Sequence, residues 1–510
     1  MTRALVGRRR ALGLIAVGAA GIAVGTTGWV AGLGSSASVG RLRPGASGAP
    51  LTQPAVLTSL DGVLDVELTA ASGVALVGRR TSALGYNGAS PGPTLRLAPG
   101  DLLRIRLSNH LDAPTNLHLH GLHVSPQDHG DNPFLSIAAS SGFDYAYRIP
   151  ANHPTGTYWY HPHHHGSVAD QLFGGLAGAL LIGHDPDPYL SVTEDRVLLV
   201  TDTTLDATGH LVTIGAMDKM MGRQGELLLV NGQHQPTIPA APGATQRWRI
   251  INACTSRVLA LRLEQHPLTL IAQDGKFLPT PTDHNQIMLA PANRADLIIR
   301  PTIAGQYALI TDPYQRGTGM MGMMGMMGMM GMMGMMGPGR SPGPVTLATL
   351  AVDGPAGASP PLPATLPAPP IPQGPFDRQR QLTFAISMGG TSTGGMGMGG
   401  MGMSFTIDGR TFDPRRNDQT VRLGTTEDWT ITNTSPMDHP FHLHVWPFHV
   451  LADSTATPRT ATLQDVVIIP ARGWVRLRIP FTDYPGRTVY HCHTADHEDA
   501  GMMATINVTD

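Results

Sequence analysis

Cysteine is almost missing: among 510 residues only Cys254 and Cys492 occur, so at most one disulfide can form and a disulfide-stapled fold is excluded. The formal net charge is only -2, and outside the first ten residues Lys and Arg form no long run. No basic surface is therefore available for nucleic acid. Long amphipathic helical patterns are also scarce, whereas the chain holds 61 Gly and 43 Pro. That balance predicts an all-β protein of strands joined by many turns, not a helix bundle. The length allows several domains, each with its own core, and three are expected.

The first 37 residues read as a separate unit. Arg9 and Arg10 precede an apolar run from Ala11 to Leu33, which resembles a twin-arginine export signal, and Ser35 and Ala37 form a small-x-small site for cleavage after Ala37. The alternative is an uncleaved anchor, since the run is as long as a membrane-spanning helix, although its many Gly and Ala make it weakly hydrophobic. Export to the periplasm or cell exterior is the expectation, with membrane contact only if this segment is retained. The sequence leaves the oligomeric state open.

One pattern recurs three times. "GDLLRIRLSN" (Gly100 to Asn109), "GATQRWRIIN" (Gly243 to Asn252) and "GTTEDWTITN" (Gly424 to Asn433) each run from Gly through alternating apolar and polar positions to Asn. Each predicts a turn entering a strand with one buried face, and the intervals between them are domain-sized. "GPAGASPPLPATLPAPPIPQGP" has linker composition. The expected organisation is a signal at 1–37, domains at 50–185, 186–352 and 377–510, and a Pro-rich linker at 353–376. Greek-key β-sandwiches suit repeats of this size.

Histidine carries the chemistry. His-x-His occurs at His118 and His120, His161 and His163, His442 and His444, and His491 and His493. On a strand, residues i and i+2 share a face, so each pair aims two imidazoles the same way, and four pairs can supply eight nitrogen ligands to one metal cluster. The same period sends Cys492, between His491 and His493, to the opposite face and toward a different metal. Cys492 with His439, His497 and Met502 gives two imidazoles, a thiolate and a thioether, the set preferred by a mononuclear electron-transfer copper. Cys254, in "RIINACTS", reads as a buried strand cysteine and not as a ligand, so no disulfide is expected.

In order and spacing these four clusters resemble the multicopper oxidase family, over nearly the whole chain after the signal. The resemblance implies three cupredoxin domains with copper ligands in the first and third. It implies type 2 ligands at His118 and His442 and type 3 ligands at His120, His161, His163, His444, His491 and His493. Type 1 copper would take His439, Cys492 and His497, with Met502 axial. Four copper ions would couple four one-electron oxidations to reduction of O2 to two waters, and an axial methionine implies a moderate reduction potential. Glu498 and Asp131 are the carboxylates expected to relay protons to the oxygen site.

Methionine points to the electron donor. Residues 319 to 337 read "GMMGMMGMMGMMGMMGMMG" and hold twelve of the 25 methionines, Met320, Met321, Met323 and Met324 among them. They form an insertion at 317–337, before the last strand expected in the second domain. Further methionines stand at Met217, Met220 and Met221 and at Met396, Met398, Met401 and Met403. Thioethers are soft, neutral ligands that suit Cu(I), and glycines let several sulfurs converge on one ion. A membrane helix is disfavoured, because Gly at every third residue costs ~1 kcal/mol each against Ala. The expectation is an enzyme of copper homeostasis that oxidises Cu(I), and secondarily other low-valent metals, phenols or aromatic amines. The alternatives are a laccase-like oxidase of phenols or aromatic amines and a copper-sequestering protein without turnover.

Overall fold

The computed structural model describes residues 40–42, 48–317, 343–357, 359–388, 403–455 and 462–510. The expected export signal, the tract at 319–337 with Met320, Met321, Met323 and Met324, and Met396, Met398 and Met401 lie outside the described residues. Among the described residues no helix is long and apolar enough to cross a membrane.

Nearly all regular structure is β, arranged mainly as three pairs of sheets drawn from residues 56–182, 194–352 and 378–509. The first pair has four and five strands, and the second and third each have six and five. Each pair encloses an apolar core. Leu68, Ile105 and Tyr160 belong to the first, Trp248, Leu261 and Leu297 to the second, and Trp429, Phe441 and Ile479 to the third.

The repeated segments occupy equivalent places. Leu102–Asn109, Gln246–Asn252 and Thr425–Asn433 are interior strands. They run parallel to Val63–Ser72, Glu194–Thr203 and Arg378–Met388, and antiparallel to Gly142–Arg148, Arg294–Ile299 and Trp474–Phe481. Gly100, Gly243 and Gly424 have φ of +97°, +79° and +79°, the left-handed region that glycine enters without steric cost. The closing asparagines are buried and do one job three times. Asn109 Nδ2 donates to the carbonyls of Ala113, Ile137 and Ala138, Asn252 Nδ2 to Arg257 and Leu289, and Asn433 Nδ2 to Met437, Ile469 and Pro470. Their Oδ1 atoms accept from the amides of Leu111, Cys254 and Ser435. A short amide side chain with donor and acceptor thus satisfies the main chain where each strand gives way to a loop.

One expectation fails. The middle strand has no exposed face, for every residue of Gln246–Asn252 is buried. The first sheet pair covers its outer side, where Trp159 and Leu181 pack with Leu199 and Ile251. The polar positions are neutralised instead of solvated: Arg247 pairs with Asp296 and Asp187, and Arg249 with Asp195.

Pairing then brings the histidines together. His118–His120 lies antiparallel to Gly156–His161 with His118 opposite His161. His439–Leu443 lies against Gly486–Cys492 with His442 opposite His491 and Phe441 opposite Cys492.

Candidate metal centres

The four His-x-His pairs converge where the first and third sheet pairs meet, and all eight rings are buried. His163 Nε2 lies 3.1 Å from His491 Nε2, and His444 Nε2 lies 3.2 and 3.3 Å from these two. A second group forms around His120 Nδ1, 3.4 Å from His161 Nε2, with the His493 ring 5.0 and 5.4 Å from those of His120 and His161 between centroids. His118 and His442 sit between the groups, each with its Nε2 buried and without a hydrogen-bond partner.

These contacts fit a metal better than they fit each other. A neutral imidazole has one N–H, so three ring nitrogens facing one another cannot all be satisfied by hydrogen bonds, whereas a cation satisfies every lone pair at once. The rings are held neutral: burial first, then mutual repulsion, keeps His120, His161, His163, His442, His444 and His493 well below the usual imidazole range. Neighbouring groups fix which nitrogen faces inward. His118 Nδ1 meets Asp131 at 2.8 and 2.9 Å, His442 Nδ1 donates to the Asp465 carbonyl at 2.7 Å, and His161 Nδ1 donates to the Pro162 carbonyl at 2.9 Å.

Cys492 faces the other way, into the core of the third sheet pair with Met502. Its Sγ lies 3.4 Å from His439 Nδ1 and 3.8 Å from His497 Nδ1, and accepts the Thr494 amide at 3.4 Å. Burial pushes the Cys492 thiol up to about 12, and burial followed by Arg316 pushes His439 down to about 3. A thiol so disfavoured as an anion needs a cation to hold it as thiolate, and two neutral imidazoles complete that donor set. The outer nitrogens are anchored: His439 Nε2 contacts Ser435 Oγ at 2.7 Å, and His497 Nε2 donates to the Met220 carbonyl at 3.1 Å.

Asp131 is a clamp on His118, accepting the Leu119 amide as well. Glu498 is fully buried on the short helix Ala495–Asp499. Its oxygens lie 3.3 Å from His163 Nε2 and 3.2 Å from His491 Nδ1, and neither receives a hydrogen bond. Among the methionines, Met220 and Met403 line a cleft of about 490 Å³ beside His497, together with Asp170, Lys219, Phe405 and Asp499. Met217 is exposed and Met221 half-buried on the helix Ala216–Met221, and neither lines the cleft. Cys254 is buried in the second core and, like Cys492, forms no disulfide.

Sequence reasoning missed Asp465. Its carboxylate meets His120 Nε2 at 3.1 Å, Arg294 Nη1 and Nη2 at 2.6 and 2.7 Å, and Lys276 Nζ at 3.2 Å. Burial alone would raise this acid, but Arg294 and Lys276 hold it below the usual carboxylate range. The contact explains why His120 turns Nδ1 to the cluster while His118 and His442 turn Nε2. The only signal is an acid inside the apolar run "LQDVVII".

Models of three multicopper oxidase domains match residues 69–187, 155–322 and 382–510. The multicopper oxidase mco of Staphylococcus haemolyticus is 28% identical over 443 residues, 84% of this chain and 85% of that protein. The cell division protein FtsP of Edwardsiella tarda is 29% identical over 403 residues, 78% of this chain and 76% of that one. Among solved structures, a multicopper oxidase from Campylobacter jejuni, described as a metallo-oxidase, superposes with a TM-score of 0.78 at 28% identity, covering 93% of this chain and 98% of that one. The histidine clusters, the cysteine site and these likenesses agree: the chain belongs to the multicopper oxidase family, three cupredoxin domains built for copper and oxidoreductase chemistry.

Proposed function

We propose that this chain is an exported oxidase of Cu(I) that couples four one-electron oxidations to reduction of O2 to two waters and so serves copper tolerance. Four copper ions fit the donor sets: one with Cys492, His439, His497 and Met502, and three among the eight histidines. Bound copper supplies one-electron acceptance and oxygen reduction. The residues do the rest. Cys492 joins the two groups through its peptide neighbours His491 and His493, and Asp131 and Asp465 fix the rings. Glu498 is the buried acid beside the histidine cluster and is assigned to proton transfer.

The observation that carries the choice of donor is the cleft beside His497. Two thioethers, Met220 and Met403, line it, soft donors suited to a monovalent soft cation, while the carboxylates of Asp170 and Asp496 at its wall are neutralised by Arg223. The segment leading into the methionine tract is anchored nearby: a side chain at Gly317 would collide with the carbonyl of Pro436, three residues before His439, and Arg316 Nη2 donates to the Gly222 carbonyl at 3.0 Å. Met403 pairs with Met388 at the ends of the strands that enclose residues 389–402. Met220 and Met403, from two of the methionine-rich segments, thus share one cleft beside His497.

A second reading is a laccase-like oxidase of phenols. Phe405 stacks on His497 at 4.5 Å between centroids, giving the cleft an aromatic wall. Oxygen uptake by the copper-loaded protein separates the readings, with Cu(I) or a phenol as donor. We expect deletion of 319–337, and separately the pair Met220→Leu with Met403→Leu, to slow Cu(I) oxidation several-fold and spare phenol oxidation. Unchanged Cu(I) oxidation with faster phenol oxidation would make the methionines a cover over a laccase. No oxygen uptake with either donor would leave a copper-sequestering protein.

A further inference from the structure

Arg316 is the last charged side chain before the methionine tract, and it sits against the Cys492 site. It is half-buried, and its guanidinium is held by main-chain carbonyls: Nη1 donates to Ser256 at 3.2 Å and Nη2 to Gly222 at 3.0 Å. Among the described residues it forms no ion pair, and the remaining segments contain no Asp or Glu that could supply one. The acids closest to it in effect are already engaged. Asp438 accepts from Tyr314 Oη at 2.8 Å and from the Ala471 amide at 2.7 Å, and Asp202 accepts from Arg257 Nε at 3.0 Å and the Gly225 amide at 2.8 Å.

The same strip of chain is fastened to both histidine-bearing sides of the site. Met220, two residues before Gly222, holds His497 Nε2 through its carbonyl. Gly222 itself is crowded by Thr494, whose amide reaches Cys492 Sγ, and by Arg316 Nη1. On the other side Tyr314 reaches Asp438, and Gly317 packs on Pro436 and Met437. Arg316 is therefore a cation fixed between the two histidine segments. It acts by charge on His439, on His497 and on Cys492, and burial followed by repulsion from Arg257 brings its own pKa down to about 10.

We propose that Arg316 raises the reduction potential of the copper site at Cys492. When a Cu(I) donor gives up one electron and leaves as Cu(II), the site gains that electron and its net charge falls by one. A fixed positive charge beside a weakly solvated couple favours the less positive form. Arg316 would thereby offset part of the moderate potential that an axial methionine gives, and it ties the level of the acceptor to the segment that carries the tract.

The inference rests on the type 1 reading of this site, and the test keeps the two apart. Fully copper-loaded wild type, Arg316→Gln, Arg316→Met, Arg316→Lys and Tyr314→Phe are titrated through the thiolate-to-copper absorption against mediators of known potential. We expect both neutral variants to shift the Cu(II)/Cu(I) equilibrium toward Cu(II) by about three- to tenfold, tenfold being about 59 mV for one electron. Arg316→Lys and Tyr314→Phe should stay near wild type. An unchanged midpoint in a neutral variant that keeps the absorption overturns the proposal, as does an equal fall in Tyr314→Phe, which would make the effect one of packing. If one neutral variant does not load copper, the other decides. Copper-loaded wild type without the absorption would instead refute the type 1 reading itself.

Discussion

Asp465 and Arg294 close a two-point ion pair across the border of the third and middle sheet pairs, at 2.6 and 2.7 Å, and the same carboxylate touches His120 of the first. The middle domain contributes none of the residues assigned as copper ligands, yet through Arg294 and Lys276 it holds the acid that orients one ring with its side chain and a second with its carbonyl.

Asp465→Asn should therefore do more than remove one contact. It leaves Arg294 and Lys276 buried without their shared counter-charge, and breaking such a pair costs about 3–5 kcal/mol. We expect chemical denaturation of the metal-free protein to show a loss of that order, and metal analysis to show copper missing from the histidine cluster while the Cys492 absorption persists.

The metal-free protein should be acid-labile in a defined window. Burial first of all pushes His153 and His439 down to about 3, against about 6.5 for a free imidazole. Between these values the unfolded chain binds more protons than the folded one, so stability present above pH 6.5 is lost as pH falls toward 3. Thermal midpoints at pH 7, 5 and 4 should fall steeply without copper and less with it, because a bound cation competes with protons at His439. His153→Gln should flatten part of the fall in both forms.

Glu498→Gln keeps size and removes the ionisable proton. With both carboxylate oxygens buried and free of hydrogen-bond donors, we expect oxygen reduction to slow by about 10²–10⁴-fold, the usual worth of general acid–base catalysis. The Cys492 absorption should be unchanged. Turnover at the wild-type rate would remove Glu498 from the proton route.

The repeated asparagines offer a comparison inside one molecule. Asn252→Ala and Asn433→Ala each strand buried carbonyls, at about 1–3 kcal/mol for an unmet group. Both should lower the unfolding free energy. Only Asn433→Ala should also perturb the Cys492 absorption, because Asn433 Oδ1 accepts from Ser435 Oγ, which contacts His439.

What the sequence reveals depends on how local the cause is. His-x-His on a strand is a local rule, so the eight rings, the opposed cysteine and the strand-opening glycines could be read directly. The partners of those rings could not. Asp465 lies far in the chain from Arg294 and Lys276 and meets them only because two sheet pairs dock. The anchors of His442 and His497 are main-chain carbonyls, of Asp465 and Met220, and a carbonyl has no letter in a sequence. The middle strand misled for the same reason: its alternation is intact, but docking buried the polar side and ion pairs took the place of water.

The Met220 carbonyl has a consequence for how such a protein can diversify. The atom that steadies His497 belongs to the main chain, while the side chain at that position faces the cleft proposed for the donor. On that proposal, exchange of the side chain would redirect the enzyme toward another reductant without removing the carbonyl that holds the imidazole behind it. Donor preference and retention of the electron-accepting centre are thereby separately mutable, although one residue serves both.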